Sequence, residues 1–182
     1  MKILIDTNIV IDALTSREPW NKNAEKILIM AANNIVDMYI TASSATDIYY
    51  LIRKHLHDTK TARNIMCKLY SLVGILEVKG DDCIDALASP ITDYEDAVIE
   101  QVARRSGVEC IVTRNKKDYA TSICSIAFIF FDHIMTAATA ATIRNAWTIA
   151  MQQPPLFTGG LDGLRRLPKS QSQSQPQSSC PS

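Results

Sequence analysis

Five aspartates stand where a carboxylate could do chemistry: Asp6, Asp47, Asp93, Asp96 and Asp118. Asp6 directly follows the apolar run KILI (2–5), and Asp47 lies three residues after Ser44 in a helix-like stretch. Asp93 and Asp96 are one helical turn apart. Asp118 comes after the run ECIVT (109–113) and the polar stretch that includes Arg114, Asn115, Lys116 and Lys117. In parallel α/β sheets, ligands bind beyond the carboxyl ends of the strands. These acids follow separate strand-like segments, so the topology would gather them at that edge. Gathered carboxylates repel unless they are protonated or neutralised. A hard divalent cation with oxygen ligands, Mg²⁺ or Mn²⁺, is a suitable neutraliser. Held by few protein ligands, it keeps waters and can activate one against a phosphodiester.

Each acid also has a structural explanation. Asp6 can cap the helix that begins with Thr7 and Asn8. Asp47 can be the acidic partner of a capping box opened by Ser44. Against that, Asp47 shares a helical stripe with Tyr50 and Leu51, which we read as facing inward. Asp93 and Asp96 suit the positive end of a helix dipole. Asp96 nevertheless aligns with Ile99 and Ala103 on an apolar stripe, and an inward acid needs a partner. Asp118 alone reads as an exposed turn residue.

The elements that must position these residues alternate in type. KILI (2–5), DMYITAS (37–43), ILEV (75–78) and ECIVT (109–113) read as strands. Helical patterns carry Ile9, Val10, Ala13 and Leu14, then residues 20–33, a helix from Ser44 through Ile52, about 59–71, a short piece at 81–88 ended before Pro90, and 92–107. In the last of these, Thr92 or Asp93 caps the start, while arginines and Gly107 close the end. The alternation predicts an α/β fold with a mostly parallel central sheet flanked by helices.

Composition narrows the field. The 182 residues carry a formal net charge of zero, so a global basic field cannot attract nucleic acid; local basic residues or a metal must. With 47% hydrophobic and 21% charged residues, packing alone can build the core. The 5 cysteines are odd in number and none form a C-x-x-C pair, which argues against a zinc site and a disulfide framework; we expect most to be buried in a reducing cytoplasm. No signal peptide is expected from the N-terminal pattern, and the run ICSIAFIFF (123–131) is too short to span a bilayer. Beyond about residue 121 the character changes: an Ala/Thr-rich helix is expected over 134–152. In residues 168–182 all but Lys169 and Cys180 are Ser, Gln or Pro, a composition that cannot bury enough apolar surface to order itself. We expect a folded domain over 1–133 and an extension over 134–182, disordered from about 153.

Four segments together resemble the PIN-domain family. KILIDTNIVID (2–12) looks like its opening, ITASSATDIYYLIRK (40–54) like its second strand and acid-bearing helix, DYEDAVIEQVA (93–103) like its third acidic motif and VECIVTRNKKDY (108–119) like its fourth. The likeness covers about residues 1–121, and the nearest well-known members are the VapC-type toxins. The resemblance implies a PIN-like three-layer fold and a cytoplasmic, Mg²⁺- or Mn²⁺-dependent endoribonuclease that leaves a 5′-phosphate. It implies a metal held by Asp6, Asp47 and Asp96, with Asp118 or Asp93 helping to orient water. Thr7, Asn8, Thr113 and Asn115 would stand behind those ligands, and Arg114, Lys116 and Lys117 would hold phosphate. The expected partners are RNA, a cognate antitoxin and a second copy of the chain, with no membrane. The chain departs from the family in having Asp47 where Glu is more usual, Asn115 where Asp often stands, and an unfamiliar tail. These departures keep open an inactive PIN module that only binds RNA or a protein. Dehalogenase-type phosphatases need a second aspartate where Asn8 stands, and receiver domains need an acidic pair at the first strand.

Overall fold

The computed structural model describes residues 1–115, 117 and 119, together with the strand at 126–128. The chain runs β1 (Lys2–Ile5), α1 (Thr7–Leu14), α2 (Asn21–Ala32), β2 (Asp37–Thr41), α3 (Ala42–Leu56), α4 (Thr59–Tyr70), β3 (Gly74–Leu76), α5 (Gly80–Ala86), α6 (Tyr94–Arg105), β4 (Cys110–Thr113) and β5 (Ile126–Phe128). All strand pairings are parallel, in the order β3-β2-β1-β4-β5. The chain moves outward from β1 to β2 and β3, then returns to the other side of β1 as β4. That reversal puts the crevice between the carboxyl ends of β1 and β4.

Successive strand residues point to opposite faces, and β1 divides its side chains accordingly. Ile3 and Ile5 pack with Met38, Ile40 and Val112 under α1, α2, α3 and α4. Leu4 packs with Ile111 against Ala97, Ile99, Val102 and Ala103 of α6. The sheet therefore carries helices on both faces, a three-layer α/β architecture. Covering both faces is why β1 and β4 read as unbroken apolar runs rather than alternating ones.

Several boundaries moved relative to the sequence reading. Strand β2 ends at Thr41, and α3 starts at Ala42 rather than Ser44. The Thr41 side chain accepts from the Ser44 backbone N–H at 3.0 Å and is the actual cap. Asp47 thus sits in the second turn and is no capping-box partner. The face of α3 turned to the core is Ala45, Ile48 and Ile52. Tyr50 and Leu51, read as inward, are 54% and 39% exposed. Asp47 lies at the flank of the helix, half-buried. Of the cysteines, Cys110 is buried and Cys83 half-buried, both as free thiols. The expected helix at 134–152 and the expected disordered tail lie outside the described residues. No helix among the described residues is long and apolar enough to cross a membrane.

One close approach in the sheet makes a prediction. A Cβ on Gly74 would meet the Tyr39 ring at 2.6 Å, and Lys2 also contacts that ring, its Nζ 4.8 Å from the centroid. The ring must shift to admit a Cβ, beside the Tyr39–Gly74 pairing of β2 and β3. Gly74→Ala is expected to destabilise the chain by about 1–3 kcal/mol, measured by denaturant unfolding; an unchanged midpoint would show that Tyr39 moves freely.

Candidate active site

The carboxyl end of β1 delivers Asp6, which is 3% exposed. Its backbone is extended, and its side chain caps α1 by accepting from the Asn8 backbone N–H at 3.4 Å. The other carboxylate oxygen accepts from the Thr113 hydroxyl at 2.8 Å and from Asn8 Nδ2 at 3.2 Å. Thr113 ends β4 and also accepts from the Asn115 backbone N–H at 3.0 Å. The cap therefore fixes the Asp6 carboxylate at the β1–β4 crevice. Thr7, next in the chain, has a buried hydroxyl oxygen with no hydrogen-bond partner among the described residues.

Helix α6 brings the next acids. Asp93 caps it, accepting from the Asp96 backbone N–H at 3.2 Å, and its side chain is exposed. Asp96 is buried on the stripe with Ile99 and Ala103, and accepts from the Tyr119 hydroxyl at 2.9 Å. Tyr119 was not singled out from the sequence. Burial, and then the charges of Asp96, Asp6 and Glu95, push its phenol far above the ordinary range. It is therefore held as a hydrogen-bond donor to Asp96. Glu95 was also missed. Its carboxyl is raised by desolvation first and then by Asp47, Asp6 and Asp93. Acids from β1, α3 and α6 thus each lie within electrostatic reach of Glu95. No hydrogen bond or ion pair among the described residues engages the Asp47 carboxylate. Lys116 and Asp118 lie outside the described residues; Lys117 is exposed.

Arg114, expected to hold phosphate, donates to both oxygens of Asp12 from one nitrogen, at 3.1 and 3.0 Å, and reaches Asn8 Oδ1 at 3.4 Å. Its guanidinium also lies 4.5 Å from the centroid of Trp20. Asp12 is fully buried, so this cation neutralises an internal charge. An aspartate inside the apolar pattern NIVIDAL was the available signal.

The donors here are all hard oxygens, which suits Mg²⁺ or Mn²⁺ better than softer metals. The Glu95 carboxyl, raised by burial and then by neighbouring acids, and the unpartnered Thr7 oxygen agree with that chemistry. Among the described residues, however, no three His, Cys, Asp or Glu side chains are grouped closely enough to hold an ion.

The raised Glu95 carboxyl has a measurable sign. A carboxyl whose folded pKa is raised keeps its proton longer in the folded chain than in the unfolded one. Between the ordinary value of 4.5 and the raised one, the folded state binds more protons, so stability falls as pH rises through that window. In EDTA, Glu95→Gln should lose that part of the decline, and its Tm above the window should equal or exceed that of the unsubstituted chain. Parallel Tm-against-pH curves for the two would refute the raised Glu95 carboxyl.

The family model of the PIN domain matches residues 2–117. The chain belongs to the PIN-domain family. The matched stretch contains Asp6, Asp47, Asp93, Glu95 and Asp96. No protein of curated function matches it in sequence. Among solved structures, this PIN chain is similar to one from VapBC2 of Rickettsia felis bound to a DNA fragment from their promoter, with a TM-score of 0.51 and 17% identity over 69% of this chain and 97% of that one. It is also similar to a chain of FitAB bound to the IR36 DNA fragment, with a TM-score of 0.50 and 14% identity over 72% and 99% of the two chains. At such identities the likeness establishes a shared fold.

Proposed function

We propose that this PIN-domain protein is a metal-dependent endoribonuclease that hydrolyses RNA phosphodiester bonds, acting in the cytoplasm as the toxin of a type II toxin–antitoxin pair. The observation that carries the nuclease reading is the electrostatic convergence of Asp6, Asp47 and the α6 acids at the carboxyl edge of β1 and β4. Asp6, Asp47 and Asp96 would hold Mg²⁺ or Mn²⁺, with Asp93 and the newly recognised Glu95 adding negative charge nearby. When bound, the cation would supply Lewis acidity toward the phosphodiester and neutralise the acids. Thr113 and Asn8 hold the Asp6 carboxylate in a fixed direction, and Tyr119 does the same for Asp96. Thr7 and Asn115 would complete that supporting layer. Asp118 would help orient water, and Lys116 and Lys117 would meet phosphate. A companion antitoxin and a homodimer are proposed because the resemblance is to VapC-type toxins and because its fold neighbours were solved as VapBC2 and FitAB with DNA.

A second reading is an inactive module that binds RNA or a protein. Two observations favour it: Asn115 stands where the family often carries Asp, and the described acids do not close into a three-ligand group. One assay separates the readings. Purified chain is incubated with RNA and Mg²⁺ or Mn²⁺, with and without EDTA, beside an Asp96→Asn control. Cleavage that requires the metal and Asp96 supports the nuclease. Binding without cleavage in any metal supports the module.

A further inference from the structure

The exposed flank of α3 leads away from the acids. Asp47, Tyr50, Leu51 and Lys54 follow at helical spacing along one side of the helix, over about 10 Å. Tyr50 and Leu51 are exposed large side chains. Beyond them Arg53, Lys54 and His55 form the last turn. His57 then ends the helix in the left-handed conformation (φ 54°), with its N–H donating to the Arg53 carbonyl at 2.9 Å. Only Asp58 intervenes before α4, whose first turns carry Lys60 and Arg63. Arg53, Lys54, His55, His57, Lys60 and Arg63 are all exposed. None of them enters an ion pair among the described residues. The one carboxylate at the corner, Asp58, is engaged as the α4 cap, accepting from the Lys60 N–H at 2.9 Å and from the Thr61 hydroxyl.

Helix stability accounts for only half of this corner. Cations in the last turn of α3 suit its negative end. Lys60 and Arg63 lie near the positive end of α4, where a cation is unfavourable. Their placement there concentrates positive charge on a chain whose net charge is zero. A cationic corner joined by an exposed aromatic to a cluster of acids has the composition of a single-strand track: cations follow the backbone and an aromatic face accepts a base.

We propose that the α3–α4 corner and the α3 flank form an RNA-binding track, in which Arg53, Lys54, Lys60 and Arg63 meet phosphates and Tyr50 stacks on a base, feeding the strand toward Asp47. This inference rests on the nuclease reading for its direction, but its chemistry can be tested separately. The full chain is titrated in EDTA, where no metal contributes, with labelled single-stranded RNA of four and of twenty nucleotides. The variants are Arg53→Glu/Lys54→Glu, Lys60→Glu/Arg63→Glu, the corresponding glutamine pairs, and Tyr50→Ala. All these positions are exposed, and the glutamine pairs keep the test available where a charge reversal disturbs α4.

The twenty-nucleotide RNA should bind at least tenfold more weakly to each charge-reversed pair. Removing two phosphate contacts should lower the slope of log affinity against log salt by about 1.4, at about 0.7 per contact for a single strand. Tyr50→Ala should weaken binding about tenfold and leave the slope unchanged. Affinity and slope unaltered by both charge-reversed pairs would overturn the proposal. So would a corner whose reversal abolishes binding of polyglutamate while sparing RNA, since the partner would then be an acidic protein. The two readings fail differently. Metal-dependent cleavage of the four-nucleotide RNA with corner-independent binding of the longer one defeats the track alone. Corner-dependent binding without cleavage in any metal supports the track and defeats the nuclease.

Discussion

Asp6→Asn should abolish metal-dependent RNA cleavage, by at least about a hundredfold, while leaving the folded chain as stable as before or more so. Loss of a group that merely supports a metal ligand already costs about 10–100-fold, and a proposed direct ligand should cost no less. The substitution is close to isosteric, so the crevice between β1 and β4 keeps its shape. The amide oxygen can still accept from the Thr113 hydroxyl, as the carboxylate does at 2.8 Å. Its nitrogen, however, cannot accept from Asn8, and the site loses a negative charge. In EDTA the loss of charge is favourable, because Glu95 is already raised by Asp6 among other acids. Stability and activity should therefore move in opposite directions. Tm is read in EDTA and again with Mg²⁺; the unsubstituted chain should gain stability from the ion by mass action, and Asp6→Asn should gain less. A variant that cleaves RNA at the original rate would sink the assignment. A variant that merely unfolds would instead mean that the cap on α1 is the role of Asp6.

How much of this was legible in the residues can be judged from particular positions. The strands KILI and CIVT were readable because strands covered on both faces need unbroken apolar runs. Asp96 was readable because its stripe continues through Ile99 and Ala103, both buried. On α3 the same logic misled. Its apolar residues form two longitudinal stripes, one through Ala45, Ile48 and Ile52 and one through Tyr50 and Leu51, and periodicity alone does not say which faces the core. Packing of α3 against α1 and α4 decides it. The start of α3 was ambiguous for a similar reason. Thr41, Ser43 and Ser44 all carry a competent hydroxyl, and the choice follows from where β2 stops, which its pairing with β1 and β3 fixes. Glu95 and Tyr119 became visible only as neighbours of acids distant in sequence. The partner of Arg114 lies 102 residues away, and no local pattern could have paired them.

That long-range pair carries the second large effect. Arg114→Ala should destabilise the chain by about 3 kcal/mol or more near neutral pH, because it leaves the carboxylate of Asp12 buried without its principal cation. Burial already raises the Asp12 pKa, and Arg114, followed by Arg17, is what opposes that rise. Without Arg114 the folded pKa climbs further. The folded chain then takes up a proton that the unfolded chain, titrating near 3.8, does not hold. In that widened window the variant loses stability as pH rises, so its deficit should be small near pH 4 and largest above the raised pKa. Adding Asp12→Asn to Arg114→Ala should recover part of the loss by removing the charge itself, a coupling that a double-mutant cycle measures. Guanidinium chloride unfolding at acid and neutral pH provides the values. A deficit under about 1 kcal/mol, the scale of a surface pair, and the same at both pH values would show that Arg114 is an ordinary surface cation. Its contact with Trp20 would then be incidental, and the arginine would again be available to meet RNA.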